Sequence, residues 1–232
     1  KESLSLLVSE LEPTDRLAIV TYAGAAGLVL PSTPCSESDN ILRALDKLSA
    51  GGSTAGGEGI KLAYQTARKH FVQGGTNRVI LATDGDFNVG VSSDSELVDL
   101  IEKEAESGVF LSVLGFGGGN LNDSMLEKIS GRGNGNYAYI DTKKEARKVL
   151  VEQRAGSLVT IAKDVKLQIE FNPAKAQAYR LIGYENRTLE NRDFTDDEKD
   201  AGEIGAGHQV TAFYEVVPSG EEFEQSPLPE LR

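Results

Sequence analysis

The chain has 232 residues, 39% of them hydrophobic, and a formal net charge of −12. That length suits one large domain, or one of ordinary size with an appendage, and the apolar fraction is too high for a disordered chain. No apolar stretch nears the ~18 residues of a membrane span, and the acidic balance argues against nucleic acid, whose binding draws on clustered Lys and Arg, while it suits cation attraction and basic protein partners.

Helical and strand patterns alternate from the start. Leu4, Leu7, Val8 and Leu11 repeat at helical spacing, and Pro13 follows as a stop. The chain opens at Lys1 inside that pattern and reads as a piece whose N-terminal part, with any signal or anchor sequence, lies upstream. Residues 16–22 form a short apolar run of buried-strand type. Leu28-Val29-Leu30-Pro31 reads as a brief edge strand, because proline cannot donate to a ladder. The lone Cys35 excludes an intrachain disulfide, and with no histidine nearby in sequence it reads as a small buried or loop residue. Ile41, Leu42, Ala44, Leu45 and Leu48 mark a second helix. The glycine-rich loop 50–57 leads into a third, with Ile60, Ala63, Tyr64, Ala67 and Phe71 on one face.

Residues 79–82 are the most apolar strand so far and end at Asp84-Gly85-Asp86. Ser93-Asp94-Ser95-Glu96 has the capping-box pattern. Leu97, Leu100, Ile101 and Ala105 form the inner stripe of the helix that follows, Gly108 ends it, and the acidic residues from 94 to 106 read as its wet face. Residues 109–116 are another buried strand, Met125, Leu126 and Ile129 a short helix closed by Gly131, and 137–140 a strand. Thr142 caps a last helix that runs to about Arg154. Strands joined by crossover helices predict an α/β fold over residues 1–155, a doubly wound, mostly parallel sheet with helices on both faces.

From residue 156 the period changes. Val165, Leu167, Ile169 and Phe171 alternate with polar residues, and 179–184 and 210–217 also read as strands. This predicts a small antiparallel β extension over 156–218, followed by a tail or linker over 219–232 rich in Pro, Glu and Ser. The aromatic residues at 179, 184, 213 and 214 read as packing, and the stretch 193–200 as a polar loop or short helix.

Two loops carry candidate chemistry. Thr54 offers a hydroxyl just before a helix, and Asp84 offers a carboxylate at the end of an apolar strand. Ligands on parallel sheets gather at the carboxyl ends of the strands. A hydroxyl and a carboxylate on neighbouring loops suit a hard divalent cation, Mg²⁺ or Mn²⁺ or Ca²⁺ in its place. The plainer readings are a loop hydroxyl or helix cap for Thr54 and an ordinary turn residue for Asp84. Gly52, Ser53, Asp86 and Asn88 surround the pair and read as partner-binding, although Asp86 also suits a supporting or solvent-facing role. Gly115-Phe116-Gly117-Gly118-Gly119 lacks the Lys-Ser/Thr pair of a phosphate loop and reads as a turn. His70 and His208 lack zinc-ligand spacing. No nucleophile–base pair is visible, so no catalytic residue is assigned.

The segments 51–57, 80–90, 131–141, 183–187 and 200–208 together resemble a von Willebrand factor type A domain of the bacterial YfbK-type branch, over residues 1 to about 218. The resemblance implies a metal-ion-dependent adhesion site at the sheet rim, built from an Asp-x-Ser-x-Ser turn, a threonine and an aspartate. The threonine maps onto Thr54 and the aspartate onto Asp84; the first turn has no counterpart in this stretch. It also implies a central strand upstream of Lys1, lying between the strands of Ile19 and Ile80. The implied function is a protein-binding module in which a partner carboxylate completes the Mg²⁺ shell. For the intact protein the resemblance implies the bacterial cell envelope or periplasm, with a lipid anchor as one means of attachment. Two rivals stay open: Mg²⁺-dependent phosphoryl transfer through Asp84, and a structural envelope subunit whose metal site has decayed. Unpaired backbone groups at a buried sheet centre cost roughly 1–3 kcal/mol each. A chain extended upstream is therefore expected to melt at a higher temperature than this one; equal thermal midpoints count against the missing strand.

Overall fold

Short apolar runs flanked by longer amphipathic stretches solve one problem: each strand needs both faces covered and each helix needs one face buried. The computed structural model describes residues 1–22, 27–49, 56–83, 94–117, 122–153, 156, 160–183, 188–190, 192–196, 201–207 and 209–221. In chain order its elements begin with α1 (Glu2–Glu10), β1 (Arg16–Thr21), β2 (Gly27–Pro34), α2 (Ser38–Lys47) and α3 (Gly56–Lys69). They continue with β3 (Asn77–Thr83), α4 (Asp94–Glu106), β4 (Val109–Phe116), α5 (Asp123–Arg132), β5 (Tyr137–Ile140) and α6 (Lys143–Arg147). Last come β6 (Thr160–Val165), β7 (Ala176–Ile182), β8 (Gly202–Gly205) and β9 (Phe213–Pro218).

β3, β4 and β5 form a parallel sheet with β4 in the middle. Asn77 stands opposite Val109 and Thr83 opposite Gly115; Val113 stands opposite Tyr137 and Phe116 opposite Ile140. Side chains alternate across a strand, so β4 feeds two cores. Val109, Leu111 and Val113 pack with Ile60 and Tyr64 of α3, Leu97 and Ile101 of α4, and Leu126 and Ile129 of α5. Leu114 packs the other way, with Ile140, Leu7 of α1, and Ala146, Val149 and Leu150. Helices thus cover both faces, as the alternation of patterns predicts. Val8 of α1 joins a third core with Ile19, Cys35, Ile41, Ala44 and Leu45.

β1 and β2 pair antiparallel as a separate ladder, and Cys35 lies buried just beyond it. β2 is longer than the sequence suggests and includes both Pro31 and Pro34. Among the described residues β1 and β3 share no ladder. The phenol of Tyr22 instead donates a hydrogen bond to the carbonyl of Ala82 at 2.8 Å.

Helix ends follow local chemistry. The Thr142 hydroxyl accepts from the Glu145 amide at 3.2 Å, and Asn122 caps α5 through the Met125 amide. Gly108, with φ +89°, turns the chain out of α4, as its position predicts. Gly131 does not close α5; the helix continues to Arg132, and Asn134 at φ 51° makes the left-handed turn. The last helix also differs from expectation. After Arg147 the coil widens over Lys148–Glu152, and the Gln153 amide reaches back five residues to the Lys148 carbonyl at 2.8 Å.

By contacts the chain divides into Lys1–Lys163 with Gly202–His208, and Asp164–Ala201 with Gln209–Arg232. In the second unit β7 and β9 pair antiparallel, from Ala176 opposite Pro218 to Ile182 opposite Phe213. Arg180 and Glu215 stand opposite each other and form an ion pair. Phe171 packs its ring on Tyr179 and Tyr214, with centroids 4.5 and 5.3 Å apart. Three expectations are corrected here. The alternating stretch 165–171 is not a strand: β6 ends at Val165, and Leu167 and Ile169 are exposed. The strand at 210–217 begins only at Phe213. Phe213 is not packing material, since it is 66% exposed at the end of its ladder. Periodicity without a hydrogen-bonding neighbour does not make a strand. Tyr184 lies outside the described residues.

The loop after α5 passes tightly over β4: a Cβ on Gly135 would lie 1.9 Å from the Leu111 carbonyl oxygen. Gly135→Ala is expected to cost about 2 kcal/mol or more, seen as a lower urea midpoint with an unchanged slope.

Candidate metal centre

Thr54 and Asp84, the expected metal ligands, lie outside the described residues, as do Gly52, Ser53, Asp86 and Asn88. The elements on either side of them in sequence are described. α3 begins at Gly56, directly after residues 50–55, and β3 ends at Thr83, directly before Asp84. α3 runs back to the start of β3 through residues 70–76, so its N-terminus lies at the end of the sheet where β3 finishes. That end is the carboxyl rim.

Tyr22 ties the two elements together. Its phenol holds the Ala82 carbonyl, one residue before Thr83. Its Cβ sits where Gly59 has no side chain: a Cβ there would be 2.4 Å from that of Tyr22. Gly56, Gly57 and Gly59 are buried, and Thr83 is 4% exposed. The absent side chains let the first turn of α3 lie close to the end of β1. Sequence reading did not single out Tyr22, because an aromatic residue at a strand end carries no signal of a partner sixty positions away.

Two tyrosines of β5 fasten the neighbouring part of the rim. Tyr139 donates to the Gly117 carbonyl and Tyr137 to the Asp123 carboxylate. Burial first, and then Asp123, push the Tyr137 phenol well above its ordinary range, so it stays protonated and keeps donating. On the core side Tyr64 is 0% exposed. Burial, and secondly the charge of Glu104, hold its phenol neutral far above the ordinary value, while Arg78 acts the other way.

Glu104 departs from its predicted place on a wet helix face: it is 2% exposed, with its carboxylate 3.0 Å from the Arg68 guanidinium. The signal was present. Position 104 falls seven after Leu97 and three after Ile101, on the apolar stripe. His70 is exposed, and His208 lies outside the described residues. Among the described residues no group of three or more His, Cys, Asp and Glu is gathered as a metal site. No helix among them is long and apolar enough to cross a membrane.

A parallel sheet with helices on both faces, in which α3 follows a glycine-rich stretch of sequence and β3 precedes an aspartate, defines a class. The von Willebrand factor type A domain profile matches residues 1–153, and the chain belongs to that family. It continues into a second family region, described as "Uncharacterized protein YfbK, C-terminal", over residues 156–232. The Escherichia coli (strain K12) protein YfbK is 51% identical over 221 residues, which are 95% of this chain and 38% of that protein. The chain therefore spans well under half the length of that relative. Among solved structures, BatB from Bacteroides thetaiotaomicron aligns with a TM-score of 0.54 and 27% identity, covering 66% of this chain and 83% of that one. A von Willebrand factor type A protein from Catenulispora acidiphila aligns with a TM-score of 0.57 at 20% identity, covering 70% of this chain and 38% of that one, and shows likeness of fold. Domains of this family often depend on a divalent metal and often bind protein partners.

Gly59→Ala is expected to lower stability by about 2 kcal/mol, a fall of roughly 4–8 °C in thermal midpoint. Tyr22→Phe, which removes the bond to Ala82, is expected to cost about half as much; equal midpoints for all three proteins would refute this arrangement.

Proposed function

We propose that the chain is a metal-ion-dependent protein-binding module. Thr54 and Asp84 hold the ion, and a carboxylate from a partner protein completes its shell. The observation that supports this reading is the Gly59–Tyr22–Ala82 contact, which brings the start of α3 and the end of β3 to one rim. Each of those elements borders a loop that carries one proposed ligand. The donor chemistry fits: a hydroxyl and a carboxylate are hard oxygen ligands of the kind Mg²⁺, Mn²⁺ or Ca²⁺ takes. Gly52 and Ser53 beside one ligand, and Asp86 and Asn88 beside the other, supply backbone and polar groups for the partner. A charged group meeting a partly dry rim gives specificity more than bulk affinity.

In the same proposal the region 156–218 is an accessory β module that orients the first domain or adds a contact surface. The intact protein works in the bacterial cell envelope or periplasm.

Calorimetric titration of the chain extended upstream with Mg²⁺ and Mn²⁺ tests the centre. The native protein is expected to show binding heat and a raised thermal midpoint. Asp84→Ala is expected to abolish both, and Thr54→Ala to weaken affinity at least tenfold. Neither heat nor shift in the native protein would leave the structural-subunit reading. Metal-dependent phosphatase turnover that disappears in Asp84→Ala would turn the assignment toward phosphoryl transfer.

A further inference from the structure

Two polar atoms deep in the first unit are not accounted for by the contacts described so far. Arg68 of α3 and Glu104 of α4 form an ion pair at 3.0 Å, with the Glu104 side chain 3% exposed and that of Arg68 49%. The pair uses one carboxylate oxygen, Oε1. The other, Oε2, is buried and has no hydrogen-bond partner among the described residues. The phenol oxygen of Tyr64 is in the same condition, in a residue that is 0% exposed. A buried polar atom left unmet is costly, and nearly all such atoms in folded proteins are met by protein or by ordered water.

The two atoms belong to one place. Tyr64 and Arg68 stand four residues apart on α3, so they share a helix face. The Glu104 carboxylate touches that Arg68, and its charge is the strongest that the Tyr64 phenol feels. Arg78 of β3 supplies the second charge. Yet the phenol and Oε2 do not bond to each other, since neither has a partner within hydrogen-bond reach. The core that holds Tyr64 is apolar at Ile60, Leu97 and Ile101, whose side chains offer neither donors nor acceptors.

The chemistry of the two atoms names what lies between them. A protonated phenol has one hydrogen to give, and a carboxylate oxygen only accepts. The bridging species must therefore accept once and donate once. A cation fails this test, because it would face the phenol hydrogen and the guanidinium charge of Arg68. An anion fails it against the Glu104 carboxylate. Water satisfies both ends, and buried waters typically make two to four bonds to groups of this kind. We propose that one buried water molecule sits between Tyr64 and Glu104, accepting from the phenol and donating to Oε2, and so links α3 to α4. The site is independent of the reading of Thr54 and Asp84 as metal ligands.

Two measurements on the full chain test it. A high-resolution crystal structure is expected to show a water oxygen about 2.5–3.0 Å from both Tyr64 Oη and Glu104 Oε2. Tyr64→Phe is expected to lower the thermal midpoint by roughly 2–4 °C, and to leave it unchanged in a Glu104→Met background, where the water has lost its acceptor. A phenol that is truly unmet gives the opposite sign, because removing its oxygen then relieves a burial cost. A raised or unchanged midpoint for Tyr64→Phe alone would overturn the inference. A direct bond between phenol and carboxylate in the crystal, or no water between them, would overturn it too. Should Glu104→Met not fold, the crystal structure and Tyr64→Phe in the native sequence decide the matter together.

Discussion

Everything in the first unit depends on β4 having no face to water. Seven of its eight residues are buried, in the order Val-Phe-Leu-Ser-Val-Leu-Gly. A strand in that position needs a hydrogen-bonded neighbour on each side and a helix layer above and below. β3 and β5 supply the neighbours. α3, α4 and α5 supply one layer, and α1 with the coil after β5 supplies the other. Once β4 is fixed, the direction of β3 is fixed by parallel register, and with it the end at which Thr83 emerges. The rim at which β3 ends is thus placed by burial.

Much of this could be read from the chain, and the reasons differ by element. The strand at 109–116 and the helix stripe of Leu97 and Ile101 were plain because burial writes a strong periodic signal. The cap at Thr142 and the break at Gly108 were legible because each rests on one residue's local chemistry. What escaped was long-range. The link from Tyr22 to Ala82 joins residues with no shared pattern. The stretch 165–171 alternates like a strand but lacks a neighbouring ladder, and only tertiary structure supplies or withholds one. Glu104 was misread because its charge was weighed above its place on the stripe.

The candidate centre divides in the same way. Thr54 and Asp84 stand out by residue type and by their place beside a helix start and a strand end. The contact between α3 and β3 beside them in sequence could not be read, because it consists of a missing side chain at Gly59 and a backbone carbonyl at Ala82. Neither feature has a side chain that could announce it. The family relationship supplies a chemical context for the pair, and that contact supplies the mechanical one.

β2 carries Pro31 and Pro34 within eight residues, on a strand whose only neighbour among the described residues is β1. Each proline leaves that strand one amide hydrogen short. A foreign segment seeking to stack there would find a broken row of donors, which is how natural proteins discourage fibrous growth. β7 and β9 contain just one such residue, at the terminal position 218, so uncontrolled stacking during expression or storage is to be guarded against in that ribbon first.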